Sequence, residues 1–240
     1  MTCITGMVRN GHVYMAGDLM GSNGFTGRVY PDSKVFTNGD FIVGYTSSFR
    51  MGQILEWNWH PPLREEGITD RQYMQLNVIE SLRETFAVFG YGVKEGLEDI
   101  GGNFLIGYKG SLYEMQNNFS LLKIEDYVAV GSGQYHAEAV LHILYQEEEF
   151  HPFEIMQEAI KTAAHFTQSV SEDCTLYSSN PEDEPDDGEE VVLDLTDLGI
   201  DDLKETCRQQ GIKFAHNISK EKLISKLENH FKGGESFNDK

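Results

Sequence analysis

Apolar and polar positions alternate along the first eighteen residues in the way that a β-hairpin requires. Small or apolar side chains recur at every second position from residue 4 to residue 8, and again from residue 13 to residue 17. Between these runs stands Asn10-Gly11, a dipeptide typical of two-residue hairpin turns, because both residues tolerate a left-handed backbone. The chain is therefore predicted to open with a hairpin, which places Thr2 at the end of a sheet.

The same pattern predicts two more groups of strands. The segments 34–36 and 41–45 are predicted strands joined by a turn at Asn38-Gly39-Asp40, and we assign them with the first hairpin to one wall of a sandwich. The glycine-rich stretch 18–31 is predicted to be an exposed loop over the site. The segments 103–108 and 111–115 form a hairpin through Lys109-Gly110, and with the strand 127–130 they are assigned to the second sheet.

Helical spacing of apolar residues recurs in the segments that separate or follow these strands. The predicted helices are 47–59, a long helix capped by Thr69 or Asp70 and ending at Gly90, a helix around 137–145, and 153–166. Helices covering each of two sheets make a four-layer αββα sandwich, so the predicted fold class is α+β.

Composition narrows the classes of function. With 240 residues and a formal net charge of −20, the chain can bury a sizeable core and is a poor general binder of nucleic acid. It has neither the apolar run of about 20 residues that a membrane helix needs nor a signal-peptide pattern, so we expect a cytoplasmic protein without membrane contact. Cys3, Cys174 and Cys207 are far apart and odd in number, and the histidines lack paired carboxylates, so we expect no disulfide framework, metal site or cofactor.

The composition changes abruptly after residue 178. The ten residues from 181 to 190 include seven acids, two prolines and no apolar side chain, so residues 179–191 are predicted to be a disordered acidic linker that acts as a tether. Residues 192–232 regain apolar spacing, and Ser219 is predicted to cap a helix there. The domain prediction is therefore 1–178, the linker 179–191, a small helical module at 192–232 and a frayed tail at 233–240.

Thr2 offers a specific chemistry if Met1 is removed, as is normal before a small residue. The free α-amino group, with a pKa near ~7.7–8.0, can take the proton of the Thr2 hydroxyl, so one residue supplies both nucleophile and base. A nearby cation would lower the pKa of the amine further, and Lys34 is the candidate. The adjacent Cys3 is interpreted as a buried strand residue rather than as the nucleophile.

Several segments resemble, in order and spacing, the proteasome-type N-terminal nucleophile hydrolases, most closely the bacterial HslV peptidases. These segments are Thr2, Arg9-Asn10-Gly11-His12-Val13, Ala16-Gly17-Asp18, Lys34-Val35, Ile42-Val43-Gly44-Tyr45-Thr46-Ser47 and Val130-Gly131-Ser132-Gly133. The resemblance covers about residues 2–178 and implies the αββα fold of that family.

The resemblance also implies a role for each of five residues. Thr2 is the implied nucleophile, and Asp18 and Lys34 organise its hydroxyl and its amine. Ser132 assists the terminal amine, and the backbone amide of Gly44 is the nearest match to the donor that stabilises the oxyanion. Ser171 and Asp173 are further candidates near the amine. The family assembles as rings, so a homo-oligomer is implied, with an ATPase or adaptor as a conceivable partner.

The module at 192–232 resembles the small helix-extended-helix domains of the HeH, LEM, SAP and Rho N-terminal group. Members of this group bind nucleic acid or protein, and both ligand classes stay open here. The basic residues of the module are nearly matched by acids, so DNA binding would need them gathered on one face. They are Lys204, Arg208, Lys213, Lys220, Lys222, Lys226 and Lys232.

Three hypotheses of function follow. The first is a threonine-type peptidase subunit of a self-compartmentalising assembly, with a peptide or protein as its substrate. The second is an inactive proteasome-fold scaffold or assembly protein whose C-terminal module carries the function. The third is an N-terminal nucleophile amidase that acts on a small amide.

Overall fold

The computed structural model describes residues 2–23, 25–95, 98–183, 204, 219–220 and 222–224. The chain divides into two compact units, Met1–Pro185 and Asp186–Lys240. Among the described residues, no helix is long and apolar enough to cross a membrane.

The first unit alternates strands and helices. Its strands are β1 (Cys3–Arg9), β2 (His12–Asp18), β3 (Met20–Ser22), β4 (Gly27–Val29), β5 (Val35–Asn38), β6 (Phe41–Tyr45), β7 (Val93–Glu95), β8 (Glu98–Ile100), β9 (Phe104–Tyr108), β10 (Ser111–Met115), β11 (Leu121–Ile124), β12 (Tyr127–Gly131) and β13 (Cys174–Ser178). Its helices are α1 (Phe49–Trp57), α2 (Asp70–Gln72), which runs through a π-helical segment (Tyr73–Val78) into α3 (Ile79–Val88), α4 (Gln134–Leu144) and α5 (Pro152–Phe166), followed by a 3-10 turn (Pro181–Asp183).

Two antiparallel sheets form the centre of this unit. The first has the strand order β12-β1-β2-β13, and the second has the order β11-β10-β9-β6-β5. The hairpin β1–β2 turns at Asn10-Gly11 with φ angles of 54° and 79°, so the predicted turn is confirmed. The hairpin β9–β10 turns in the same way at Lys109 and Gly110.

Three separate clusters of buried side chains show that the unit has four layers. One cluster, which includes Ile4, Met15 and Leu105, lies between the two sheets. A second cluster packs α4 and α5 on the first sheet, and a third packs α1 and the α2–α3 helix on the second sheet. The predicted αββα sandwich of the α+β class is therefore confirmed.

Local caps fix the helix starts near the predicted positions. The Ser48 hydroxyl accepts a hydrogen bond from the Met51 amide at the start of α1. Thr69 and Gln72 form a capping box at the start of α2, so the cap is Thr69 rather than the alternative candidate Asp70.

Four details of the prediction are wrong. The strand predicted at 127–130 is β12, which pairs with β1 in the first sheet and does not join β9 and β10 in the second. The hairpins β1–β2 and β5–β6 lie in opposite sheets rather than in one wall, because β1 pairs with the distant β12 and β6 pairs with β9. The predicted loop 18–31 contains the two-stranded ribbon β3–β4. The predicted linker begins too early, because Ser179 exchanges hydrogen bonds with Val13, and Asp183 accepts hydrogen bonds from Tyr14 and His151.

The second unit contributes few described residues. Lys204 and Lys220 are helical, and the fully buried Leu223 donates its amide to the Ser219 carbonyl at 3.1 Å. This bond spans four residues, as in an α-helix that begins after Ser219. The rest of the predicted helix-extended-helix module and of the linker lies outside the described residues.

Tyr45 predicts how the stability of the first unit depends on alkaline pH. Burial, with Glu56 and Asp32 adding to it, raises the pKa of the Tyr45 phenol from 10.0 to about 12. Between these values the folded chain keeps a proton that the unfolded chain releases, so the free energy of unfolding falls as pH rises. We expect a smaller fall between pH about 10 and about 12 in Tyr45→Phe than in the wild type, measured by urea unfolding. An equal fall in both proteins would contradict this prediction. The control is Tyr135→Phe, because Tyr135 is exposed.

Candidate active site

Thr2 lies immediately before β1, where the first sheet meets the turn after β12. It is buried, at 4% exposure, and its carbonyl accepts a hydrogen bond from the Gly133 amide at 3.3 Å. No hydrogen bond joins the Thr2 hydroxyl to another described residue. Within the described part of the chain, the Thr2 hydroxyl therefore has no hydrogen-bond partner that would hold its oxygen in place.

The turn after β12 presents Ser132 to the nitrogen of Thr2. The distance from Thr2 N to Ser132 Oγ is 3.1 Å, and Ser132 Oγ lies 3.3 Å from the Thr2 carbonyl oxygen. Gly131 makes this approach possible, because its φ of +100° is a left-handed conformation and a Cβ there would stand 2.2 Å from the Thr2 oxygen. The Gly-Ser-Gly motif thus brings a hydroxyl to the main chain of Thr2.

Asp18 is the centre of the polar network behind Thr2. Its carboxylate has no exposed surface. It accepts hydrogen bonds from the amides of Cys3 at 2.8 Å, Met20 at 2.9 Å and Ser171 at 3.3 Å, and from Lys34 Nζ at 2.7 Å. A carboxylate has about four acceptor positions, so this one is fully used. Asp18 therefore joins β1, β2, β5 and the segment before β13 at one point.

Lys34 reaches Asp18 from the position just before β5. Its ammonium is buried and donates to Asp18 Oδ1 at 2.7 Å and to the Met20 carbonyl at 2.6 Å. Burial lowers the pKa of the Lys34 ammonium, and the Asp18 carboxylate opposes this effect. Because an ammonium has three N–H groups, these two bonds leave it a third donor.

Gly44 is the predicted site residue that the structure places elsewhere. It lies inside β6, paired with Val35 on one side and with Leu105 on the other. Its bare α-carbon faces the core between the sheets, where a Cβ would stand 2.6 Å from Met15 Sδ. An amide of an internal strand points along the sheet toward a neighbouring strand. This placement corrects the prediction that the Gly44 amide faces the site.

Ser47, three residues after Gly44, has the features expected of a free donor. Its φ of +69° lies in the left-handed region, and its amide has no acceptor among the described residues. The preceding Thr46 is close to Thr2, because its methyl group lies 3.5 Å from the Cβ position of Gly131. A serine with a left-handed backbone leaves no signature in the sequence, which is why this position was missed.

Two more serines belong to the polar network around Thr2, one beside Ser132 and one beside Asp18. The buried Ser169 places its Oγ 3.1 Å from Ser132 Oγ. Ser171 accepts a hydrogen bond from the Leu19 amide at 3.0 Å and donates to the Asp173 carbonyl at 2.9 Å. Ser171 was a sequence candidate, whereas Ser169 was missed because its register relative to Thr2 depends on how the chain leaves α5.

The Cys3 thiol takes no part in this network. Cys3 is fully buried against the helices of the first sheet, and burial, with Asp18 adding to it, raises the pKa of its thiol far above the usual range. This environment agrees with the interpretation of Cys3 as a structural residue. Within the described ranges, no three His, Cys, Asp or Glu side chains converge to hold a metal ion.

Gly131→Ala is expected to displace Thr2 and to destabilise the fold. The added methyl group would overlap the Thr2 carbonyl and strain a left-handed backbone, so we expect a loss of more than about 2 kcal/mol in the free energy of unfolding. The matched control is Gly39→Ala, which has a φ of +58° but nothing within 4 Å of the added Cβ. Urea unfolding measures both, and equal losses would show that backbone strain alone sets the cost at Gly131.

Comparison of the sequence with protein-family models and with curated proteins gives no match. Comparison of the structure with solved structures gives several matches. The BPH protein of Thiobacillus denitrificans, solved in complex with epoxomicin, matches with a TM-score of 0.62 and 16% identity over 73% of this chain and 97% of that one.

Two further groups of structures share the fold. HslV from Trypanosoma brucei has a TM-score of 0.55 and 17% identity over 73% of this chain and 98% of that chain. Anbu from Yersinia bercovieri, described as an ancestral β-subunit, has a TM-score of 0.53 and 12% identity over 74% of this chain and 81% of that chain. The chain therefore has the fold of the HslV-type N-terminal nucleophile hydrolases.

Proposed function

We propose that the chain is a threonine-type peptidase subunit of a self-compartmentalising, HslV-like assembly. The observation that carries this proposal is the setting of Thr2. Its nitrogen lies 3.1 Å from Ser132 Oγ, and the buried Asp18–Lys34 pair binds the next residue through the Cys3 amide. Removal of Met1 would turn the Thr2 nitrogen into an α-amine. This amine would lie beside the Thr2 hydroxyl, which has no hydrogen bond to another described residue.

In the proposed reaction, Thr2 Oγ attacks the carbonyl carbon of a peptide bond. Its proton passes to the α-amine as the new C–O bond forms and the carbonyl oxygen becomes an oxyanion. When the C–N bond breaks, the α-ammonium gives this proton to the leaving nitrogen. Water then attacks the ester, gives one proton through the same amine back to Thr2 Oγ, and releases the acid.

Asp18 and Lys34 act as positioning residues in this scheme. In this scheme the third N–H of Lys34 would donate to the Thr2 hydroxyl, and the positive charge would lower the pKa of the α-amine and favour its basic form. Asp18 holds Lys34 in a buried place that a lone ammonium would not occupy. Ser132 would accept a hydrogen bond from the amine, and Ser169 would orient the Ser132 hydroxyl.

Ser47 takes the role that the sequence assigned to Gly44. Its unpaired amide follows Thr46, which lies near the Thr2 carbonyl. A backbone amide is a suitable oxyanion donor, because it is held rigidly and needs no reorganisation during the reaction. The proposed oxyanion donor still belongs to the segment 42–47 that was identified from the sequence, but it is the amide of Ser47, the last residue of that segment.

Assembly as a homo-oligomer is the second part of the proposal. The likeness to Anbu, described as an ancestral β-subunit, supports a subunit role. Large apolar side chains on the helical side of the second sheet also remain uncovered, with Trp57 at 71% and Leu63 at 94% exposure. Another copy of the chain would bury such residues. The second unit would then recruit a substrate protein, an adaptor or an ATPase by raising its local concentration.

The test combines intact mass with covalent labelling. Mass spectrometry of the purified full chain should show the loss of Met1, and incubation with epoxomicin should add one adduct that maps to Thr2. Retention of Met1 without an adduct would contradict the peptidase proposal and favour an inactive scaffold protein with this fold. An adduct with hydrolysis of small amides but not of peptides would favour an amidase.

A further inference from the structure

Ser47 lies at the centre of a strained turn between β6 and α1. The Ser48 amide donates a hydrogen bond to the Thr46 carbonyl at 2.7 Å, so this bond encloses a single residue. With a φ of +69° at Ser47, the bond closes a turn of the γ type with a positive φ, which is rare and strained in proteins. A conformation of this kind persists only where the surrounding structure fixes it.

Helix α1 fixes the turn on one side. The hydroxyl of Ser48 accepts a hydrogen bond from the Met51 amide at 3.3 Å, and its carbonyl accepts one from the Gly52 amide at 3.2 Å. Ser48 therefore begins the helix with both its main chain and its side chain. The residue that follows Ser47 cannot move without opening the first turn of α1.

Thr46 fixes the turn on the other side by binding Asn103. The pairing of Tyr45 with Phe104 in β6 and β9 puts Thr46 opposite Asn103 at the end of this strand pair. The amide of Thr46 at 3.3 Å and its hydroxyl at 2.8 Å both donate to the Asn103 carbonyl. A carbonyl oxygen has two acceptor positions, so this one is fully used by Thr46.

The Thr46 hydroxyl also holds Ser47 directly. The two hydroxyl oxygens lie 3.0 Å apart. Because the Asn103 carbonyl can only accept, the single hydroxyl proton of Thr46 goes to Asn103, and Ser47 donates to Thr46. The methyl group of Thr46 lies 3.5 Å from the Cβ position of Gly131, which stands 2.2 Å from the Thr2 carbonyl oxygen. One buried side chain thus lies between the strained turn and the main chain of Thr2.

We infer that Thr46 is a positioning residue for the proposed peptidase reaction. Its hydroxyl, anchored on the Asn103 carbonyl, holds the Ser47 amide in the direction of the carbonyl oxygen that becomes the oxyanion. A donor lowers the barrier only if it is already in place when the negative charge develops, so a displaced amide loses its effect. This inference rests on the proposed function and names the residue that keeps its oxyanion donor in place.

The experiment uses the full chain and the variant Thr46→Val. This change replaces the hydroxyl by a methyl group of similar size and leaves the Thr46 amide bonded to Asn103. Thr46→Ser retains the hydroxyl and is the rescue variant. Thr37→Val is the matched control, because Thr37 lies at an exposed position of β5. Urea unfolding checks that each variant is folded.

Two reactions of Thr2 are compared in each protein. Hydrolysis of a quenched-fluorescence peptide places negative charge on a carbonyl oxygen. Labelling by a peptide vinyl sulfone does not, because Thr2 Oγ bonds to the β-carbon of the vinyl group and the α-carbon takes the proton. A defect in the oxyanion donor should therefore slow the first reaction and spare the second.

In Thr46→Val we expect kcat for the peptide to fall about 10- to 100-fold, while KM changes by less than about twofold, because the donor acts mainly in the transition state. Labelling by the vinyl sulfone should stay at the wild-type rate. Thr46→Ser and Thr37→Val should retain most of the wild-type kcat. If Thr46→Val does not fold, Ser47→Ala replaces it, since it removes the bond to Thr46 at an exposed position and should give the same split.

Two results would overturn the inference and leave the peptidase proposal standing. An equal loss of hydrolysis and of vinyl sulfone labelling would show that Thr46 supports the site as a whole. An unchanged kcat would show that the Ser47 amide keeps its direction without the Thr46 hydroxyl. Absence of both hydrolysis and labelling in the wild type would overturn the peptidase proposal and this inference together.

Discussion

Thr2→Ala is expected to abolish peptide cleavage and the epoxomicin adduct while leaving the fold intact. The substitution removes the only atom that can form the ester, so we expect a fall in activity of at least about 10³-fold. The free energy of unfolding should change by less than about 1 kcal/mol, because the hydroxyl has no described hydrogen bond to lose. Hydrolysis of a quenched-fluorescence peptide measures the first effect and urea unfolding measures the second.

Thr2→Ser is the matched control for this prediction. Serine keeps the hydroxyl and the α-amine and loses only a methyl group, so cleavage and labelling should persist at a reduced rate. If Thr2→Ala cleaves peptides as fast as the wild type, the nucleophile lies elsewhere and the mechanism proposed for Thr2 is wrong. If Thr2→Ala loses activity only because the variant unfolds, its urea unfolding midpoint will be lower than that of the wild type.

Lys34→Met is expected to have the largest effect on stability. The pair Lys34–Asp18 is buried, with side-chain exposures of 2% and 0%, and Nζ lies 2.7 Å from Oδ1. Removing the cation leaves a buried carboxylate held by amides alone, which should cost about 3–5 kcal/mol in the free energy of unfolding. The same change removes the charge that would tune the α-amine, so epoxomicin labelling should slow even in protein that remains folded.

Lys161→Met provides the control at an exposed pair. Lys161 Nζ lies 3.8 Å from Glu158, and the two side chains are 62% and 54% exposed, so the expected loss is below about 0.5 kcal/mol. Urea unfolding of both variants measures the difference. A loss in Lys34→Met no larger than in Lys161→Met would show that the three backbone amides on Asp18 suffice to hold its charge.

Features that depend on neighbouring residues could be predicted from the sequence. Hairpin turns at Asn10-Gly11 and Lys109-Gly110, the helix cap at Thr69 and the layered α+β architecture follow from local conformational preference and from the period of the apolar residues. The change in composition after residue 178 likewise indicated a second unit, although the first unit extends to Pro185.

The grouping of Thr2, Asp18, Lys34 and Ser132 came from the resemblance of their motifs to a known family, and the structure brings these four residues together. Their hydrogen bonds span long separations along the chain, 16 residues from Lys34 to Asp18 and 130 residues from Thr2 to Ser132. The fifth candidate, Gly44, shows the limit of this reasoning. A small residue in the expected segment can serve packing between sheets as well as a site, and the sequence does not distinguish the two uses.

The sequence by itself determined most of the long strands and helices, the hairpin turns and the presence of a nucleophile candidate at Thr2, because these depend on short-range geometry. Only the tertiary structure decided that β1–β2 and β5–β6 face each other across the core and that Ser169 meets Ser132. It also decided that the amide of Ser47, rather than that of Gly44, lacks an acceptor among the described residues. The partner of each strand, and whether an amide finds an acceptor, depend on which distant segments pack together. The packing that is adopted leaves few buried polar groups unpaired over the whole unit, and this condition cannot be evaluated at any one residue.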